Sequence, residues 1–302
     1  MIVKDVINCL EGLAPLAHAE DFDNVGLLVG NANREVSGIL VTLDTLETVV
    51  DEAIDRDCNL IVSFHPIIFK GLKSLTGKNY VERTVLKAIK NDIAIFAIHT
   101  ALDNVKNGVN GIISDKLNLT NKQILIPKKS TIKKLTTYVP ANKAEHLRKA
   151  LFSAGAGSIG NYDHCSFNAE GVGTYRGNES SNPTIGNKGE LHEENEIQIS
   201  MTFSSHLESK VLEALFKNHP YEEVAFEITT LDNSNQDLGM GMIGELEVPI
   251  KTVDFFNQLK TTFYVSVIRH SQIIVDKIKK TFSEGIIFFL CIQQEKIANT
   301  PF

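Results

Sequence analysis

Two stretches decide how this chain is read: residues 59–66, Asn59-Leu60-Ile61-Val62-Ser63-Phe64-His65-Pro66, and residues 93–103, Ile93-Ala94-Ile95-Phe96-Ala97-Ile98-His99-Thr100-Ala101-Leu102-Asp103. In each, a short apolar run rich in β-branched residues ends at a histidine. Strands of a parallel sheet are covered on both faces and read as nearly continuous apolar text, so both runs are predicted to be buried parallel strands. In open α/β sheets, ligands bind outside the carboxyl ends of the strands. Two imidazoles and the carboxylate of Asp103 delivered to that edge point to a metal or hydrolytic site. Pro66 supports the placement of His65, because the residue before a proline is held extended.

A single histidine at a strand end is ordinarily packed against backbone. The pairing of His65 with His99 and Asp103 gives the ligand reading its weight. Asp103, followed by Asn104 and Gly108, also reads as a loop cap. As a ligand, its hard carboxylate can bridge two divalent ions. Imidazole plus carboxylate suits Zn, Mn or Fe, with geometry selecting among them. His99 is either a ligand itself or a group that orients Asp103, and the spacing leaves both open.

Working outward, strands at residues 36–43, 59–64 and 93–98 alternate with helices at 45–56, 81–90 and 108–117, the βαβ signature of a parallel sheet. The pattern changes near Pro127. A strand at 131–139, a helix at 141–154, strands at 165–175 and 195–203, a helix at 206–217 and a strand at 223–230 follow the β-α-β-β-α-β order of a ferredoxin-like unit. The Gly/Asn/Ser-rich residues 177–189 form a long hairpin loop inside it, and residues 232–237 close it. From Met242 an α/β pattern resumes, with a helix at 251–261 and a strand at 265–268. The expected fold is α/β: a two-lobed, mostly parallel βαβ core, residues 1–126 and 238–302, interrupted by a ferredoxin-like α+β domain over 127–237.

With 302 residues and 43% apolar content, the chain can bury a large core or several smaller ones. Its net charge of −7 and lack of basic runs argue against a nucleic-acid surface, which needs clustered Lys and Arg. The four cysteines, Cys9, Cys58, Cys165 and Cys291, are scattered without C-x-x-C spacing and fit a reducing cytoplasm. No signal-peptide layout opens the chain, and no apolar run approaches the roughly 20 residues needed to span a bilayer. A cytoplasmic protein without membrane or nucleic-acid partners is expected.

Three further segments carry weaker signals. Asp21-Phe22-Asp23-Asn24-Val25-Gly26 is a polar loop, read evenly as a turn or as part of a site. His219-Pro220-Tyr221-Glu222-Glu223 sits at a helix-to-strand joint and reads as a structural turn. Gly155-Ala156-Gly157-Ser158-Ile159-Gly160 follows a helix rather than opening one, so it fails the context of a dinucleotide fingerprint.

Residues 23–30 (Asp-Asn-Val-Gly-Leu-Leu-Val-Gly), 65–69 (His-Pro-Ile-Ile-Phe) and 98–103 resemble the Ngg-interacting factor three proteins, often labelled type 2 GTP cyclohydrolase I. Residues 155–162, Cys165-Ser166-Phe167 and 219–222 resemble the PII/CutA-like insert of longer family members. The resemblance covers about residues 1–280. It implies a toroidal homohexamer with a dinuclear metal centre lined by two adjacent histidines, an aspartate, and a late histidine and glutamate. On this chain His65 matches the second of the paired histidines and Asp103 the aspartate, while Phe64 occupies the position of the first. The late Gly-His motif and its glutamate find no match.

After Lys280 the βαβ patterning breaks down. Residues 286–292 form a low-charge, β-prone apolar run that favours aggregation unless it pairs with a sheet. A frameshift or truncation of a longer reading frame is the expectation for residues 281–302. The resemblance implies a divalent-metal-dependent hydrolase acting on a nucleotide-type substrate, impaired by its unmatched ligands. The alternative is a non-enzymatic metal-binding or regulatory hexamer that senses a small molecule or partner.

Overall fold

The computed structural model describes residues 1–270, 272–273 and 276–284, and the backbone of 287–289. The chain divides into two compact units, Met1–Pro127 with Gln236–Phe302, and Lys128–Asn235. No helix among the described residues is long and apolar enough to cross a membrane.

The first unit contains two sheets. In one, β2 (Ile39–Thr42), β3 (Leu60–Ser63) and β4 (Ala94–Ala97) run parallel, and β1 (Gly26–Val29) joins the edge of β4 antiparallel. Every residue of β3 and β4 is buried, as expected of strands covered on both sides. Their alternate side chains serve two cores. Leu60, Val62, Ala94 and Phe96 pack with Val3 and Val6 of α1 (Val3–Leu13) and with Ala101 of α4 (His99–Asn104). Ile61, Ile93 and Ile95 pack with Val50 and Ala53 of α2 (Glu47–Asp55) and with Val85 and Ala88 of α3 (Tyr80–Lys90). Asn79 starts α3 by accepting from the Glu82 backbone N–H at 2.8 Å, the usual way of satisfying a first-turn donor.

The second sheet is antiparallel, in the order β12-β11-β10-β5, with β5 spanning Thr120–Pro127, β10 Gly239–Lys251, β11 Lys277–Glu284 and β12 Ile287–Phe289. It packs against α5 (Val109–Lys116) and α8 (Thr252–Phe263) through Ile113, Leu246, Phe255, Leu259 and Ile278. Among the described residues, parallel pairing occurs only in the first sheet. The strand expected at 265–268 is not formed. Tyr264 ends α8 in the left-handed region (φ 54°), and Val267 beyond it is 74% exposed and pairs with no strand. Within the apolar run at 286–292, residues 287–289 do pair with β11. Residues 285–286 and 290–302, including most of the segment read as a frameshift, lie outside the described residues.

The second unit is a four-stranded antiparallel sheet in the order β7-β8-β6-β9, built from β6 (Ile132–Pro140), β7 (Phe167–Tyr175), β8 (His192–Ser204) and β9 (Phe226–Leu231). With α6 (Ala144–Ser153) and α7 (Glu208–Asn218) it has the ferredoxin-like order foreseen from the sequence. Leu135, Val139, Ile199, Met201 and Phe203 on one face of the sheet pack against Leu147, Leu151, Val211 and Leu215 of the two helices. Fully burying a leucine of this kind contributes about 1.5–3 kcal/mol. Both helices of this unit pack on that one face, so neither covers the opposite face.

Candidate metal centre

The parallel strands bring the two histidines together by simple ladder geometry. Past the end of β3, Phe64 N–H donates to Thr42 O and His65 N–H to Leu43 O, so the strand pairing continues to His65. Past the end of β4, His99 N–H donates to Phe64 O at 2.9 Å. The imidazoles of His65 and His99 therefore stand with ring centroids 5.4 Å apart. Phe64 wedges beside them, its ring 5.0 Å from that of His65 and 5.5 Å from that of His99, both edge-on. His99 opens α4 with φ at +31°, an unfavourable conformation for a side chain with a Cβ. Such outliers cost about 1–3 kcal/mol and persist where the surroundings over-determine them.

Those surroundings centre on Asp23, whose side chain is fully buried. Both its carboxylate oxygens lie 2.8 Å from His99 Nδ1. The Thr100 hydroxyl donates to it at 2.5 Å, and the backbone N–H groups of Thr100 and Asn24 donate at 3.1 and 2.8 Å. Burial alone would push this carboxyl up, but the bonds from Thr100, His99 and Asn24 outweigh it and hold Asp23 below the ordinary carboxylate range. A carboxylate only accepts, so His99 donates from Nδ1–H, and Nε2 is the ring nitrogen left for another partner. His65 is set in the same way: its Nδ1 lies 2.8 Å from Asp44 Oδ1. A carboxylate fixing one ring nitrogen is the usual support for a metal-ligating histidine.

Asp103 lies four residues after His99 on α4, hence on the same helical face. Its Oδ1 is buried and has no hydrogen-bond partner. Burial raises its pKa to about 6, against the opposing pull of His99 and His65, while the charges of Asp23 and Glu284 add to the rise. An unpaired buried carboxylate oxygen within electrostatic reach of two imidazoles offers donor types that suit a borderline divalent ion. It is one side of a site, not a closed cage. Among the described residues, no group of three or more His, Cys, Asp or Glu side chains is arranged to hold an ion.

The sequence reading placed His65, His99 and Asp103 at one edge, and the structure puts the three within electrostatic reach of one another. It also supplies what that reading lacked. Asp23, in a loop read evenly as a turn or as part of a site, anchors His99 from 76 residues away. Asp44 and Glu284 were not singled out. Asp44 follows an expected strand, which was a usable signal, whereas Glu284 sits in a strand whose charged sequence conceals it.

The first unit is thus an α/β domain with an imidazole–carboxylate cluster at the carboxyl edge of its parallel strands. The sequence matches the family described as Duf34/NIF3 (NGG1p interacting factor 3) over residues 1–282, and the chain belongs to that family. It is 37% identical over 267 residues to the GTP cyclohydrolase 1 type 2 homolog of Bacillus subtilis (strain 168), covering 88% of this chain and 72% of that protein. Its structure is similar to that of a Bacillus cereus protein related to NIF3, with a TM-score of 0.82 at 37% identity, covering 93% of this chain and 76% of the other. A Staphylococcus aureus protein aligns with a TM-score of 0.69 at 29% identity, over 93% and 74% of the two chains.

Proposed function

We propose that this chain binds divalent metal with His65 and Asp103 as ligands, His99 in support and further ligands from beyond these residues, and acts as a metal-dependent hydrolase on a nucleotide-type substrate, assembled as a toroidal homohexamer. The observation that carries the reading is the orphaned Asp103 Oδ1 beside two imidazoles whose Nδ1 atoms are tied back to carboxylates. A divalent ion in such a setting supplies Lewis acidity and an acidified water. Asp44 and Asp23 would keep the two imidazoles in the ligating tautomer, and Asp103 would provide anionic charge without competing hydrogen bonds. The remaining coordination positions fall to water or to groups beyond these three residues. The relatives' label, GTP cyclohydrolase 1 type 2 homolog, makes hydrolytic opening of the GTP imidazole ring the reaction to try first.

Phe64, standing where the family pattern has a ligand, favours a second reading: a metal-binding regulatory hexamer without turnover. The two separate in one assay. GTP consumption by the metal-loaded chain, lost in both H65A and D103A, supports the hydrolase. Metal bound without consumption of GTP or other nucleotides supports the regulatory reading. A chain that holds no metal contradicts both.

A further inference from the structure

The helix-free face of the second unit's sheet carries a cavity of about 710 Å³, within the usual range for small-molecule sites. Its floor is β7 and β8, where Gly171 faces Glu196 across the ladder. A Cβ at Gly171 would meet nothing within 4 Å, so the missing side chain is part of the open space. A Cβ at Gly173 would stand 2.1 Å from Glu196 Oε2, so this second glycine lets the carboxylate lie flat on the strand.

The walls are built by the His219-Pro220-Tyr221-Glu222 segment, whose sequence alone reads as a structural turn. His219 is buried and fixes that segment: its Nε2–H donates to Tyr138 O at 2.9 Å, and its Nδ1 accepts from Tyr221 N–H at 3.2 Å. Tyr221 OH donates to Glu196 Oε1 at 2.7 Å, and burial together with Glu196 pushes its phenol well up, so it stays a donor. The ring of Tyr175 meets that of Tyr221 edge-on at 5.8 Å, its hydroxyl donating to Ile185 O. Glu222 accepts from Asn182 N–H and Pro220 O from the Thr184 hydroxyl, which ties the 177–184 loop to this wall. The segment is built around the cavity rather than serving only as a connection.

The charge lining the cavity is lopsided. Glu196, Glu222 and Glu223 line it, and among the described lining residues the one cationic side chain is the exposed Arg176. That balance repels phosphates and carboxylates and favours cations, and tyrosine faces add cation–π attraction. We propose that the cavity binds a small organic ammonium ion, an amine-bearing molecule whose charged nitrogen is held by Glu196 beside the rings of Tyr175 and Tyr221. This site lies wholly in the second unit and does not depend on the metal reading above.

The test is calorimetric titration of the full chain with spermidine, with ATP as the anionic counterpart. Saturable binding of one spermidine per chain is expected, with no heat from ATP. E196Q should weaken binding at least tenfold while keeping an acceptor for Tyr221. G171V, whose side chain enters open space, should abolish binding with its unfolding transition unchanged, and it serves as the test if E196Q fails to fold. Absence of saturable spermidine binding, equal affinity in a folded variant, or displacement of spermidine by ATP would overturn the proposal.

Discussion

Replacing Asp23 by asparagine asks whether one buried carboxylate organises the candidate metal centre. The change is nearly isosteric, yet every group around Asp23 is a donor: His99 Nδ1, the Thr100 hydroxyl and N–H, and the Asn24 N–H. The Thr100 hydroxyl cannot simply turn away, because its oxygen already accepts from Glu20 N–H at 2.9 Å. An amide retains one acceptor and points an NH2 at the remaining donors. Hydrogen bonds to a charged group contribute about 1.5–3 kcal/mol each, and stranded buried donors cost about 1–3 kcal/mol. Removing one partner of a buried charged network typically costs about 3–5 kcal/mol, and D23N should fall in that range. Urea unfolding followed by circular dichroism measures the loss. The nitrogen shifts of the His99 ring report its tautomer, which should no longer be locked with the proton on Nδ1. Affinity for divalent metal should drop about 10–100-fold, as it does when the partner of a ligating histidine is removed. A stability loss under about 1 kcal/mol, within reach of an ordinary surface substitution, together with an unchanged tautomer, would refute the reasoning.

Three other outcomes follow from the same structure. F64H places a third imidazole against His65 and His99, and should raise metal affinity in equilibrium dialysis; unchanged affinity would mean that position 64 does not face the ion. At Gly108 an added Cβ would stand 1.8 Å from Leu102 O, so G108A should destabilise the α4–α5 junction by about 2–4 kcal/mol, read as a lower urea midpoint and faster hydrogen exchange over α4. Burial lowers the pKa of His219 below its ordinary 6.5, so the folded unit binds a proton there less readily than the unfolded chain does. Stability from this group is therefore complete above that value and is lost as pH falls through the folded value. H219Q should flatten the pH dependence of unfolding below the ordinary histidine value, and an unaltered slope there would contradict the assignment.

The parts of the fold legible in the sequence were those in which one physical demand dominates. Leu60–Ser63 and Ala94–Ala97 are buried on both faces, so their apolar text could mean little else. The ferredoxin-like unit announced itself through alternating strands and amphipathic helices around one core. The second sheet was harder to see. β5 and β11 read Thr-Asn-Lys-Gln-Ile-Leu-Ile-Pro and Lys-Ile-Lys-Lys-Thr-Phe-Ser-Glu, and such polar text shows no strand until a partner ladder is in place. Val265-Ser266-Val267-Ile268 shows the converse: β-branched residues that find no partner strand among the described residues form no strand. Around the candidate site, the two histidines and Asp103 were visible because the ends of parallel strands deliver side chains to one edge. The groups that orient them were not, since Asp23 meets His99, and Asp44 meets His65, only through the fold. Tyr221 and Glu222 were visible as a motif, but the cavity they wall depends on two glycines in a strand far away in sequence.

Metal binding by the chelator-stripped chain tests the account most directly. Equilibrium dialysis against Mn(II), read by elemental analysis, would compare the unaltered chain with D103N and H65Q, each checked for an unchanged circular dichroism spectrum. The account expects the unaltered chain to retain the ion and both substitutions to weaken its hold at least tenfold. Retention of metal at equal affinity by both variants, or none by the unaltered chain, would contradict it.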